Sequence, residues 1–479
     1  KDGAVGAAGT ATSVAGIPFF TADNSIYTHD VSGTDSTAQQ NAAYGTNALD
    51  AITTGDANTA IGFGSSSGVT TGTRNVALGR SSLDSPDTEN DNLAIGYNSL
   101  AGAINGGEFN VAIGNYSLDA LTSGDKNTVI GYQAATSLTT SNDNVIIGYN
   151  AAENATTLAE NVVIGHEAMG TGVATSAYNV AIGKEAALQA TSMSESVAIG
   201  YQAAEQNTTG SNVIAIGYTA YDAADTENHN LAIGTSALGG AVAGGEFNVA
   251  IGNLAGDAIT TGDNNTLVGH EAGGALSGSN SNTFVGYHCG LGASNACHTN
   301  TAMGYKAGEE LSSGDNNLLL GASAGDPQSP GGQIDSDSNH IVLGNHDISS
   351  ANIQVDWTVA SDKRDKTDVE TVAIGLDFVN KLEPVTYRWD KRADYSGDLS
   401  VTPTGEHKAD WLDIGFLAQD VVELEKQFGF DVDNKTNLTT DVNKYGTHYG
   451  IQYSKFVPIL TKAVQELSAQ VTTLQQEIN

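Results

Sequence analysis

From Asn41 to Gly321 the chain repeats one short text, and that repetition narrows its fold more than any other feature. The text is Asn-Val/Thr/Leu-Ala/Val-Ile-Gly, as in Asn110-Val111-Ala112-Ile113-Gly114 and Asn161-Val162-Val163-Ile164-Gly165. Its closing glycines run from Gly45, Gly62 and Gly79 to Gly286, Gly304 and Gly321, always 17 or 18 residues apart, with one later copy at His340 to Gly344. A unit this short cannot bury an apolar side by itself. It must stack on neighbours of its own kind, which is the definition of a solenoid.

The text also says what each coil is made of. Apolar residues flank a small one before each glycine, a period-two pattern rich in β-branched residues, which predicts a strand rather than a helix. The glycine allows a positive φ where the coil turns. A second short segment follows, such as Tyr132-Gln133-Ala134-Ala135, and then a polar turn. Several turns share Gly-Asp-x-Asn, at Gly55, Gly124, Gly262 and Gly314. An asparagine stands four residues before most closing glycines, from Asn41 through Asn144 to Asn317. Stacked coils align these into a ladder whose amides hydrogen-bond along the stack. At about 4.8 Å per coil, the block reaches roughly 80 Å. So small a coil has a thin interior, expected to be lined by Val, Ile and Ala, and a lone solenoid would be marginal. The fold expected is therefore mostly β: a trimeric parallel β-solenoid or β-roll shaft, with side-by-side and interwound trimers both open.

Two further features describe how the shaft was built and where it ends. Asp87 to Gly114 returns almost verbatim as Asp225 to Gly252, so blocks of coils were duplicated. Of 19 Lys and Arg, only 6 precede residue 361, and Trp357, Trp389 and Trp411 all lie late in the chain. The domains expected are a Gly/Ala-rich linker or stalk over 1–40, the shaft over 41–345, a final strand and junction over 346–360, and a small α+β domain over 361–479. The chain starts without Met at Lys1, which reads as the beginning of a fragment.

Composition excludes some functions. A formal charge of −36 repels phosphates, so nucleic acid is not an expected partner. No apolar run approaches the length of about 18 residues that a spanning helix needs, so no membrane insertion is expected. Cys289 and Cys297 are too few for a disulfide framework. With His288 and His298 they suggest a metal site, but adjacent His-Cys pairs in extended chain point to opposite faces. They read as packed free thiols, and neither metal nor cofactor is expected.

After Ala360 the texture changes. Val369 to Leu382 has helical spacing, Pro384 to Trp389 reads as a strand, and Ile414 to Val421 as strand into helix. From Pro458 onward Leu460, Val464, Leu467, Val471, Leu474 and Ile478 step 4, 3, 4, 3, 4, the seam of a coiled coil. Ser361-Asp362-Lys363-Arg364-Asp365-Lys366 opens this part. With Ile374-Gly375-Leu376, Leu382-x-Pro384-Val385-x-Tyr387, Gly415-Phe416-x-Ala418-Gln419-Asp420-Val421 and Tyr453-Ser454-Lys455, it resembles the intramolecular chaperone domains (peptidase S74 type) at the C-termini of phage tail fibres and tailspikes. The coils are similar to fibre shafts and to the heads of trimeric autotransporter adhesins.

The resemblance implies a Ser–Lys dyad that cuts the chain once. Ser361 would be the nucleophile, Lys366 its general base, and Ala360–Ser361 the bond cut. A lysine serves as base when burial favours its neutral form, and Lys363 and Arg364 were candidates to assist it. The function expected is a homotrimeric virion tail fibre that attaches to a host-cell surface receptor. Its chaperone would drive folding and then be released. The alternative is a bacterial trimeric surface adhesin with an uncleaved cap. An ice-binding or glycosidase solenoid fits less well, since ice binding wants regular threonine ladders where the asparagine ladder is the stronger one here, and a glycosidase wants one singular carboxylate pair.

Overall fold

The computed structural model describes residues 12–14, 17–22, 24–28, 36–85, 87–354, 357–395 and 399–478. The chain divides into two compact units, Lys1–Thr301 with Ser312–Asn316, and Ala302–Leu311 with Asn317–Asn479.

The first unit is a parallel β-solenoid. Two antiparallel pairings join β1 (Thr12–Val14), β2 (Ile17–Ala22) and β3 (Ser25–Tyr27). The parallel ladder then begins at β3, whose Ile26 and Tyr27 pair with Ala42 and Ala43 of β4 (Ala42–Tyr44). Residues 25–27, inside the segment expected as stalk, thus form the first rung, and the Tyr27 ring is fully buried beneath Ala43 and Leu49. From there each coil adds a three-residue strand, β5 (Thr59–Ile61) through β18 (Thr283–Val285), to the previous one with equivalent residues opposed. Val145, Ile146 and Ile147 face Val162, Val163 and Ile164, and this register holds up to the strand Thr283–Val285.

The strands line the interior with the Ala, Val and Ile expected there, through one residue each. The middle residue of each points inward: Ala112, Val129, Ile146 and Val163 have no exposed surface. Its two neighbours face out and are partly exposed, as for Val111 and Ile113. A coil of 17 residues is so narrow that a three-residue strand presents a single side chain to the interior, and alternation sends the other two outward. The remaining core comes from the second segment, for example Ala134, Ala135 and Leu138, all fully buried. The outer Val/Ile residues run as a stripe along the stack, with Ile61, Leu78 and Ile214 each around 40 % exposed or more at 41 %, 44 % and 39 %.

Backbone geometry repeats as strictly as the side chains. Gly131 and Gly148 sit at φ +148°. A Cβ on Gly131 would lie 2.0 Å from the Gly148 carbonyl oxygen of the next coil, so both conformation and space demand glycine. Two residues on, Gln133 (φ 51°) and Ala135 (φ 55°) are left-handed without being glycine, and Lys126 (φ 59°) joins them in the polar turn. Such conformations are normally disfavoured. Bonds between coils fix them: Gln133 N–H donates to Asn115 O at 3.0 Å and Ala135 N–H to Ala151 O at 2.9 Å.

The asparagine column is a hydrogen-bond ladder, with most of its bonds going to backbone. Asn58 N–H donates to Asn41 Oδ1 at 2.8 Å, while Asn41 Nδ2 donates to the Gly55 carbonyl at 2.8 Å. Direct amide-to-amide bonds appear farther along, such as Asn127 Nδ2 to Asn110 Oδ1 at 3.0 Å. Each buried asparagine satisfies donors and acceptors in its own coil and the next. Ser196 continues the column through its hydroxyl, which accepts from Val213 N–H at 3.1 Å. Val213 then offers no side-chain acceptor.

After β19 (Thr301–Met303), β20 (Leu318–Leu320) in the second unit pairs in parallel with β21 (Ile341–Leu343), the last coil. No strand forms among the described residues of 346–360, contrary to the expectation for that junction. Ile353 and Trp357 have no strand partner among the described residues and are 53 % and 73 % exposed. Beyond it lie α1 (Leu376–Lys381), β22 (Val385–Tyr387), β23 (Asp413–Gly415), α2 (Ala418–Gln427), β24 (Thr440–Val442), β25 (Tyr449–Ile451) and α3 (Phe456–Ile478). The helix expected from Val369 starts only at Leu376, after Gly375. Glu466 of α3 accepts the Leu376 N–H at 2.8 Å, capping an α1 terminus that has no side-chain cap of its own. Ile374, Phe378, Val421, Leu424, Phe456 and Ile459 form this domain's core. Glu425, buried, accepts from Thr439 N–H, Thr439 Oγ1 and Thr440 Oγ1 at 2.6, 2.7 and 2.7 Å, which ties α2 to β24. Among the described residues no helix is long and apolar enough to cross a membrane.

Two substitutions separate the glycine and asparagine contributions. Gly131→Ala should lower the unfolding free energy by roughly 3 kcal/mol or more, because strain and overlap act together. Asn144→Ala should cost about 1–3 kcal/mol through the partners it strands. Denaturant unfolding followed by circular dichroism measures both, and an unchanged midpoint for Gly131→Ala would refute the close-approach argument.

Candidate functional site

The first turn of the segment at 361 is set by its own side chains. Asp362 accepts the Arg364 N–H at 2.9 Å and so caps a short 3-10 turn over Lys363–Asp365. The Arg364 guanidinium closes on the same carboxylate at 2.6 Å and, with that N–H bond, holds the Asp362 carboxyl below its ordinary value. The turn folds the chain back on itself, and Lys366 Nζ donates to Ser361 Oγ at 2.6 Å. The two residues singled out in the sequence are therefore brought together. Arg364 is engaged by Asp362.

The setting of the pair differs from a buried dyad. Ser361 and Lys366 are both exposed, as are Val359 and Ala360 ahead of them. The Ala360–Ser361 peptide lies in irregular chain outside any strand, accessible to a nucleophile but not desolvated by this chain.

A second contact in the same unit was not visible in the sequence. Lys444, in the turn joining β24 and β25, forms ion pairs with Asp335 and with Asp337, the latter at 2.9 Å. The Tyr445 hydroxyl also donates to Asp335, and Lys391 Nζ donates to the His346 carbonyl. Burial alone would raise the Asp335 carboxyl. Hydrogen bonds from Lys444, Tyr445 and the Ser336 N–H outweigh it and hold the group well below the usual carboxylate range. The domain after 361 is thus clasped to the segment before the last coil by contacts that do not depend on the peptide bond at 360–361. Residues 109 apart in sequence make this clasp, so spacing carried no signal for it.

The cysteines do not gather a site. Cys289 and Cys297 form no disulfide and are fully buried. Burial pushes the Cys289 thiol up to about 12 and raises Cys297 as well, the reverse of what a thiolate ligand needs. His298 is taken up by the backbone, its Nδ1 accepting the Asn280 N–H at 3.1 Å.

No curated protein matches the chain. Residues 361–430 match the family described as chaperone of endosialidase, and the match begins at Ser361 itself. That matched segment, following a parallel β-solenoid of about 17 turns, fits a phage tail fibre or tailspike with a C-terminal chaperone.

Proposed function

We propose that the protein is a homotrimeric tail fibre of a virion, which attaches to a host-cell surface receptor, and that its chaperone cuts itself off once between Ala360 and Ser361. The observation that carries this reading is the Lys366–Ser361 contact at the first residue of the matched segment. Ser361 Oγ attacks the Ala360 carbonyl carbon as its proton passes to neutral Lys366. The C–N bond breaks, the Ser361 amine takes up a proton, and Ala360 is carried as an ester on Oγ. Water hydrolyses that ester and leaves an Ala360 carboxylate and a free Ser361. The cut is a maturation event without turnover. No cofactor is needed for it.

Three surfaces support the trimer. The outer Val/Ile stripe of the solenoid lies open in a single chain. The α3 seam is open as well, with Leu460, Val464, Leu467, Val471 and Leu474 between 45 % and 65 % exposed. The dyad is also exposed, so the burial that favours a neutral lysine has to come from other copies. Cleavage then waits for assembly. A solenoid built from contacts between coils gains from a nucleus that sets three chains in register. Removing that nucleus afterwards makes unfolding slow to reverse.

Intact-mass analysis and denaturing electrophoresis test the cut. Wild type should yield fragments ending at Ala360 and starting at Ser361, with neither in Ser361→Ala or Lys366→Ala. One uncut chain in all three would make 361–479 a permanent cap, as in a surface adhesin. Replacing Val464 and Val471 by Asp should weaken association by at least about a hundredfold in sedimentation and suppress cleavage in parallel. Full cleavage by a monomeric variant would remove the assembly trigger. Lys444→Ala should leave the cut intact and speed loss of the released domain, as read by size-exclusion chromatography. Equal retention would show that the clasp does not hold it. Because Asp335 is depressed, the clasp contributes above the ordinary carboxylate value and is lost only as pH falls through its lower folded value, so release should be insensitive to pH between about 5 and 8.

A further inference from the structure

On the first unit, His270, Glu271 and His288 offer one ligand atom each within 4.8 Å of one another, and among the described residues they are the cluster with metal-binding spacing. Their placement follows from the coil. Glu271 and His288 each stand two residues after a closing glycine, at Gly269 and Gly286, and both have φ 53°. Equal register and equal left-handed conformation send both side chains out in one column, one coil apart. The backbone fixes the step, with His288 N–H donating to His270 O at 3.0 Å. Ring packing orients the imidazoles: His270 stacks on Tyr287 at 5.4 Å, and Tyr287 on His288 at 3.8 Å.

We propose that His270, Glu271 and His288 bind one borderline divalent transition-metal ion, of which Zn2+ is the type, as a clip between two neighbouring coils. Bonds of about 2.1 Å to a metal separate its ligand atoms by about 3 to 3.5 Å. His288 Nε2 already lies 3.1 Å from Glu271 Oε2, and His270 Nδ1 3.7 Å from Glu271 Oε1. Small side-chain rotations complete the set. Two imidazoles and a carboxylate favour such an ion over Ca2+ or Mg2+, which prefer oxygen alone. The side chains are 43 %, 29 % and 17 % exposed, which leaves the outer coordination positions to water. The strongly acidic shaft raises the local cation concentration.

The chain holds its own comparison. His166 and Glu167 occupy the same two positions of an earlier coil, but the following coil brings Lys184 and Glu185 there. Glu185 stands where a second imidazole would be needed, and the Lys184 ammonium 2.8 Å from it puts a fixed positive charge beside that position. One site has the ligands, and its sibling has a cation of its own.

Isothermal titration of the full chain with Zn2+, in excess Mg2+ to occupy acidic turns, tests the assignment. Wild type should take up one Zn2+ per chain saturably. His288→Ala and Glu271→Gln should each bind at least tenfold more weakly, and His166→Ala should bind as wild type. Zn2+ should also raise the melting temperature of wild type and His166→Ala but not of the other two. No saturable Zn2+ uptake by wild type, or equal uptake by His288→Ala and Glu271→Gln while both retain the wild-type circular dichroism, would overturn the proposal. The readout is independent of cleavage at Ala360–Ser361, so either reading can fail without the other.

Discussion

Every coil of the shaft satisfies most of its backbone through the coils on either side of it. Val145 N–H reaches Asn161 O at 2.9 Å and Gly148 N–H reaches Ile130 O at 2.8 Å, and the pattern repeats at each step. Within a coil there is little to hold: a three-residue strand, a few turns and one layer of small side chains. Stability is therefore a property of neighbours. The same dependence explains the glycine column, the asparagine ladder and the left-handed residues. Each is tolerable only because an identical feature stands directly above and below.

That dependence also decided what could be read in the sequence. Spacing of 17 or 18 and the alternation before each glycine are imprinted by the stacking itself, so the solenoid and its asparagine ladder were legible. The direction of the strands was not. Val-Ala-Ile reads equally well with either face inward, and only the width of the interior selects Ala112 over Val111 and Ile113. Left-handed Gln133 and Ala135 left no compositional trace either, because hydrogen bonds to the next coil, not side-chain preference, impose them. Tyr27 lies in the stretch expected as stalk, and because it fills the stack once rather than repeating, periodicity gave no sign of its burial.

The C-terminal domain shows the complementary case. Its elements are short and hold together through contacts between distant residues, such as Glu466 with Leu376. Periodicity found α3 and placed β22 and α2 well, while the start of α1 was misjudged by apolar spacing that continues across Gly375. Ser361 and Lys366 were found through their motif, five positions apart, and the fold explains the spacing: one 3-10 turn held by Asp362 is what lets the lysine reach back. Their exposure could not be foreseen from the motif.

Exposure at three places in one chain argues for a single cause. An open stripe along a solenoid, an open seam along a helix and a nucleophile paired in solvent would each be a liability alone. Taken together they describe a subunit whose solvent-facing apolar surface and whose chemistry are completed by the same event. On the proposed function the dyad would report assembly without any dedicated sensor, because the copies that cover the seam would also have to desolvate Lys366. The clasp at Lys444 then separates cutting from leaving. Breaking the 360–361 bond removes the covalent link, but the ion pairs to Asp335 and Asp337 remain until thermal opening releases them. Under the proposed function, folding, cutting and release would be three ordered steps, each governed by a different and separately mutable interaction.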